Sequence, residues 1–257
     1  MMKWARFKRG NCEYTGFLAE GALHAVEGEI YTGDWRKTGE TFLLAEVELL
    51  APCRPTKVVC IGLNYRDHAQ EMGEDLPAEP ILFLKPPSAV IGAGQFILYP
   101  EWIGRMDYEA ELAVVLGKRG KNISVEGAAE YIFGFTCGND ITARHLQKKD
   151  GQWSRAKSFD TFCPLGPWIA TGIDASALNI SLTVNGEVKQ QSSTAQLVAN
   201  PAQLVAFVSR VMTLEAGDVI LTGTPSGVGP LKPGDSVTVR IEQVGELTNT
   251  VIAESVA

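Results

Sequence analysis

Along the chain, apolar residues recur mainly at strand spacing, and two stretches carry a helical pattern. Residues 1–50 are short apolar stretches broken by Gly10, Gly16, Gly21, Gly28 and Gly33, which predicts small strands joined by tight turns. Residues 51–55 (APCRP) hold two prolines that disfavour both helix and ladder pairing, so they read as a connector. This divides the chain into a small β-rich N-terminal domain, 1–53, and a main body, 54–257. In the main body, residues 57–62, 81–84, 111–116, 133–137, 168–170, 219–222 and 236–241 have strand length and composition. Asn64 is placed to cap a helix from 65 to 73. Asn185-Gly186, between SLTV and EVKQ, predicts a type I′ hairpin turn. A second helix starts at Asn200-Pro201, with Leu204, Val208, Val211 and Met212 at three-to-four spacing toward a core, and stops before Gly217. Strand–helix alternation is not regular, which disfavours a doubly wound parallel sheet and predicts an α+β fold built on a mixed sheet.

Composition narrows the function. The chain has 257 residues, 45% of them hydrophobic, enough for a substantial core. Its net charge is -7, which argues against a nucleic-acid partner that needs a basic face. The longest apolar runs fall far short of the ~20 residues that cross a bilayer, so no membrane partner is expected. Five cysteines, widely spaced, with no C-x-x-C pair and no leader-like start, fit a reducing cytoplasm.

Three features carry candidate chemistry. Asp107-Tyr108-Glu109-Ala110-Glu111 leads into the apolar run 112–116; in a strand Glu109 and Glu111 share a face, where two carboxylates repel unless a proton or cation lies between them. Asp140, where the apolar run 131–137 ends, supplies a third carboxylate. Three oxygen donors without Cys or His suit Mg²⁺, Mn²⁺ or Ca²⁺ rather than zinc, and leave coordination positions for water and substrate. His68 and Glu71, three residues apart on a helix, are either a solvated polar pair or a general base whose ring the carboxylate orients. Lys157 could stabilise an anionic oxygen if the fold brings it to the acids. The loop 221–229 (LTGTPSGVG) lacks the order of a nucleotide P-loop, but its amides and the Thr222 and Thr224 hydroxyls could bind a carboxylate.

Five ordered motifs, GLNYRDHAQEMG (62–73), DYEAELAVVLG (107–117), GFTCGNDITAR (134–144), AKSFDTFCPLGPW (156–168) and LTGTPSGVG (221–229), resemble the fumarylacetoacetate hydrolase family over roughly residues 55–252. The resemblance implies a mixed β-sheet roll with few helices, usually a homodimer. It also implies a Mg²⁺ or Mn²⁺ site at Glu109, Glu111 and Asp140, with Ca²⁺ an ion a crystal could hold there. His68 and Glu71 would match the water-activating pair on a helical lid, Lys157 the oxyanion-stabilising lysine, and Arg144, Gln147 and Thr224 the substrate contacts. The N-terminal piece, about 50 residues, is much shorter than that of the enzyme that names the family, so a smaller 2-oxo acid is expected as substrate. The activity implied is metal-dependent carbon–carbon cleavage, by acylpyruvate-type hydrolysis or decarboxylation, through a metal-stabilised enolate. The alternatives are an isomerase of the 2-hydroxyhepta-2,4-diene-1,7-dioate or 5-carboxymethyl-2-hydroxymuconate type, and a non-catalytic metal-binding module.

Overall fold

The computed structural model describes residues 1–73 and 75–254. Four consecutive strands, Met2–Arg9, Cys12–Ala19, Ala22–Glu29 and Asp34–Leu43, form an N-terminal meander. Its first strand pairs antiparallel with Cys163–Thr171, so the meander continues directly into the main sheet. From there the sheet runs through Ile132–Asn139, Ala110–Leu116, Val219–Leu221, Val58–Gly62 and Ile81–Lys85. Val219–Leu221 pairs parallel with Val58–Gly62 while its other neighbour is antiparallel, which makes the sheet mixed.

A five-stranded sheet (Glu187–Ser193, Asn179–Val184, Ser236–Ile241, Gly245–Ala253, Phe96–Tyr99) packs on one face of the main sheet. Leu112, Val114 and Leu116 meet Ile180, Leu182, Val237 and Val239 in that core. Ala113 and Val115 point the other way, into a second core with Trp4, Phe17, Val58 and Cys60. Ala110–Leu116 is therefore buried on both faces, which is why it reads as an unbroken apolar run rather than an alternating one. A three-stranded sheet, Thr142–Ala143, Met106–Tyr108 and Gly229–Leu231, closes one end. The architecture is α+β, with a mixed sheet, few helices and a β-rich N-terminal part.

Among the described residues four α-helices accompany the strands: α1 (Arg66–Met72), α2 (Arg144–Asp150), α3 (Ser154–Lys157) and α4 (Pro201–Val211). In α4 Asn200 accepts from the Gln203 N–H while the Gln203 side chain accepts from the Asn200 N–H, a reciprocal cap ahead of the first-turn proline. Asn185 and Gly186 both have positive φ, 52° and 83°, as the expected type I′ turn requires.

Several local expectations are corrected. Asn64 does not cap α1: its amide binds the Ala199 backbone and the Thr222 carbonyl, tying the strand end to the loop after Leu221. Val211 is exposed; only Leu204 and Val208 of the four spaced positions in α4 are fully buried. Gly16 marks no turn. It lies inside a strand, where a Cβ would stand 2.4 Å from the His24 carbonyl oxygen, so close strand approach is what demands glycine there. Helices α2 and α3, seven and four residues long, bury only Leu146 and only Ala156 and Lys157, respectively, too few positions to show an apolar period. Among the described residues no helix is long and apolar enough to cross a membrane.

Candidate metal and catalytic site

Two sheets meet at Glu109. Tyr108 ends the strand of the three-stranded sheet and Ala110 begins the strand of the main sheet, so Glu109 occupies the junction. Its N–H donates to Asn139 Oδ1 at 3.0 Å and its carbonyl accepts from the Asp140 N–H at 2.9 Å. That lock holds the start of one strand against the end of Ile132–Asn139 and brings the three acids together. Glu109, Glu111 and Asp140 are all buried, with a ligand oxygen from each within 4.8 Å of the others.

Such a cluster is stable only if its charge is answered. Lys157, at the end of α3, places its Nζ 2.8 Å from Glu109 Oε2 and 2.7 Å from Asp140 Oδ2. Arg144, which opens α2, gives Nη2 to Glu109 Oε1 at 2.5 Å, Nε to Asp107 Oδ2 at 2.8 Å and Nη1 to Gln147 Oε1 at 2.5 Å. Burial by itself would raise the Glu109 carboxyl; Lys157 and Arg144 outweigh it and bring the group down to about 2. Burial would likewise lower the Lys157 ammonium, but Asp140 and Glu109 lift it above its ordinary value. Glu111 differs. Its Oε2 accepts from the Gly223 N–H at 2.7 Å, yet burial and then the Asp140 and Glu109 carboxylates push its carboxyl well above the usual range. Gly223 has φ +99°, and a Cβ there would meet Asn64 Cβ at 3.0 Å, so the loop can present this amide only as glycine.

A fourth group completes the underside. Lys85 Nζ donates to the carbonyls of Ile141, Lys157 and Phe162 at 3.0, 2.8 and 2.7 Å and stands 2.7 Å from Asp140 Oδ1. Those carbonyls take all three ammonium hydrogens, so Oδ1 is near a positive charge but receives no aligned hydrogen bond.

The acids open onto a cavity of about 450 Å³ whose lining includes Glu109, Glu111, Asp140, Lys157, Arg144, Gln147, His68 and Thr224. Of the expected site residues all but Glu71 and Thr222 thus border one space; the Thr222 hydroxyl is buried and donates to the Leu112 carbonyl at 2.9 Å, so it is not available to a substrate carboxylate. Glu71 stands behind His68: His68 Nδ1 is 3.3 Å from Glu71 Oε2, and both Glu71 oxygens accept from the Gly227 N–H, at 3.2 and 3.1 Å. Thr224 Oγ1 accepts from Gln190 Nε2 at 2.9 Å, which leaves its own hydrogen free to donate. A larger, more open groove of about 1260 Å³ passes Leu49, Phe96 and Trp168 and holds none of this set.

Lys85, Asp107, Arg105, Asn139 and Gln190 were not assigned roles from the sequence. Only Lys85 left a signal: in ILFLK it shares a strand face with Phe83, an inward position where a lysine must be paired.

The profile of the fumarylacetoacetate (FAA) hydrolase C-terminal domain matches residues 57–252. The chain belongs to the fumarylacetoacetate hydrolase family. Residues 2–52 match a separate profile, the Rv2993c-like N-terminal domain. The crystal structure of 2-hydroxyhepta-2,4-diene-1,7-dioate isomerase from Mycobacterium marinum superposes with TM-score 0.93 at 40% identity, covering 100% of both chains. Oxaloacetate tautomerase Fahd2a, mitochondrial, of Rattus norvegicus is 44% identical over 81% of this chain and 70% of its own length. Maleylpyruvate hydrolase from Sphingobium sp. SYK-6, in complex with manganese(II) and pyruvate, superposes with TM-score 0.82 at 30% identity, covering 99% of this chain and 100% of the other. One framework thus serves an isomerase, a tautomerase and a hydrolase.

Proposed function

We propose that this protein is a divalent-metal-dependent enzyme that cleaves a carbon–carbon bond in a small 2-oxo acid. The observation that carries the reading is the convergence of three buried carboxylates, a buried lysine and a carboxylate-backed histidine on one cavity. The donor set fits a hard cation: it is all oxygen, its atoms lie within 4.8 Å of one another, and Asp140 Oδ1 is buried without a hydrogen-bond partner. Glu109, Glu111 and Asp140 would hold Mg²⁺ or Mn²⁺; the hydrolase relative's manganese supports that choice. Bound there, the ion would act as a Lewis acid toward the keto oxygen of the substrate.

The other roles belong to the chain. The cavity lining carries Arg105, Arg144, Lys148 and Lys157 against Asp107, Glu109, Glu111 and Asp140, a formal balance that a divalent cation turns positive, which favours anionic substrates. Its volume, about 450 Å³, suits a molecule of a few carbons. Thr224 donates its free hydroxyl hydrogen to a substrate carboxylate. His68 takes a proton from water, with Glu71 fixing the ring through Nδ1. The resulting hydroxide adds to the distal carbonyl, and Lys157 faces the oxygen that becomes negative. When the carbon–carbon bond breaks, its electron pair passes to the 2-oxo fragment, which takes up a proton; a carboxylic acid and a 2-oxo acid result.

A second reading has a specific support, the tautomerase and isomerase relatives at 44% and 40% identity. In it the same base moves a proton between the carbon beside the keto group and another position, so a C–H bond breaks and no carbon–carbon bond does. Acylpyruvates, oxaloacetate and hydroxymuconate-type diacids, assayed with Mg²⁺, Mn²⁺ and chelator, separate the two. Release of pyruvate from acylpyruvates supports cleavage; loss of enol absorbance without pyruvate supports proton transfer. Turnover that survives exhaustive chelation overturns both.

A further inference from the structure

We propose that Lys85 is a positioning residue that pre-sets the cation site, by fixing Asp140 and the main chain around Lys157 in one arrangement; the inference rests on the metal reading above. Lys85 is buried in the last position of Ile81–Lys85 and does not line the cavity, so it touches no substrate. Its three hydrogens end on Ile141, Lys157 and Phe162, the carbonyls of three separate segments. One segment carries Asp140, another carries Lys157, and the third flanks the strand Cys163–Thr171. Three charge-assisted bonds from one nitrogen thus reinforce the Ile141 N–H to Phe162 carbonyl bond, where the ladder between Ile132–Asn139 and Cys163–Thr171 ends, and tie the Lys157 main chain to both.

The fourth neighbour gives this arrangement its point. Asp140 Oδ1 lies 2.7 Å from the Lys85 nitrogen in an ion pair outside hydrogen-bond alignment, so the ammonium attracts the carboxylate while its aligned bonds go to the three carbonyls. Oδ2, in contrast, accepts directly from Lys157. Asp140 is therefore held at a fixed position with one oxygen left available to a second cation. Groups that orient metal ligands in this way change affinity by about 10- to 100-fold when removed.

The test measures Mn²⁺ affinity by the paramagnetic resonance signal of free Mn²⁺, on wild type and Lys85→Met, with melting temperature recorded for both. Charge alone would make the variant bind tighter, because a positive group beside a ligand has gone. Positioning makes it bind weaker, and the expected loss is about 10- to 100-fold in the folded protein. An affinity equal to or tighter than wild type, whatever the melting temperature, overturns the inference and leaves the metal reading intact. Wild type that binds no Mn²⁺ overturns the metal reading, and the inference with it. Should the variant not fold, crystal structures of wild type with and without Mn²⁺ decide the point: the Asp140 carboxylate is expected to stay within about 0.5 Å, and a larger displacement overturns the inference.

Discussion

The acid cluster and the His68–Glu71 pair serve one cavity but are held in opposite ways. Glu109, Glu111 and Asp140 are anchored by strand pairing and by backbone donors, and their side chains, like those of Lys85 and Lys157, are at most 8% exposed. His68 and Glu71 sit on a helix of seven residues, with side chains 12% and 41% exposed, joined by a single 3.3 Å contact and steadied by the Gly227 N–H. In the first region every charge is desolvated and must be matched, so position and stability are one problem. In the second, Glu71 reaches solvent and His68 borders the cavity, so little charge is desolvated and chiefly its chemistry is at stake. A change in the cluster should therefore cost both fold and activity, whereas a change in the pair should cost chiefly activity.

The sharpest way to break this contrast is Asp140→Ala. It strands the Lys85 and Lys157 ammonium groups together in the interior, so a destabilisation of about 3–5 kcal/mol is expected in a urea titration, with turnover abolished. A variant that melts like wild type would show that the cluster is not the electrostatic unit described. Next comes His68→Ala, expected to slow kcat/KM by roughly 10² to 10⁴. Its stability should fall by only about 1 kcal/mol, the typical cost of a point substitution and well below that of Asp140→Ala. A loss of that larger size instead would move the pair into the first category. Lys157→Met should reduce kcat by about 10² to 10³ and destabilise as well, because Glu109 and Asp140 each lose one of two cationic partners, keeping Arg144 and Lys85 respectively.

The smallest effect is a pH dependence inside the cluster, read from urea midpoints with chelator and with Mg²⁺. The folded Glu109 carboxyl, brought down to about 2 from an ordinary 4.5, contributes stability above pH 4.5 that is lost as pH falls toward 2. Glu111, pushed well above the ordinary value, contributes in the opposite sense: its stabilisation is present at low pH and is lost as pH rises through its folded value. A bound divalent cation favours the ionised form, so Mg²⁺ should flatten the decline on the alkaline side. Identical alkaline limbs with chelator and with Mg²⁺ would argue against Glu111 as a ligand.

Much of the fold was legible because burial leaves its period in the chain. The apolar strand at 111–116, the Asn-Gly turn and the Asn-Pro helix start each reflect one local constraint and appear as expected, the strand one residue longer at its start. Asn64 misled for the opposite reason: its side chain satisfies groups more than a hundred residues away, at Ala199 and Thr222, and no local pattern records that. Lys85 and Gln190 went unassigned on the same account, since their partners at Ile141, Phe162, Ala110 and Thr224 come from distant strands and loops.

The order of polar and apolar side chains was enough to set the class of fold and the chemical kind of the donors, because helix and strand periods and carboxylate chemistry are properties of short segments; the family came from the resemblance of five ordered motifs. Which carboxylate keeps its proton, which is pinned by a guanidinium, and which oxygen is left without a hydrogen depended on three-dimensional packing. The physical reason is that charge in a dry interior is governed by neighbours within a few ångströms, and in this protein those neighbours arrive from a different strand, helix or loop for nearly every group.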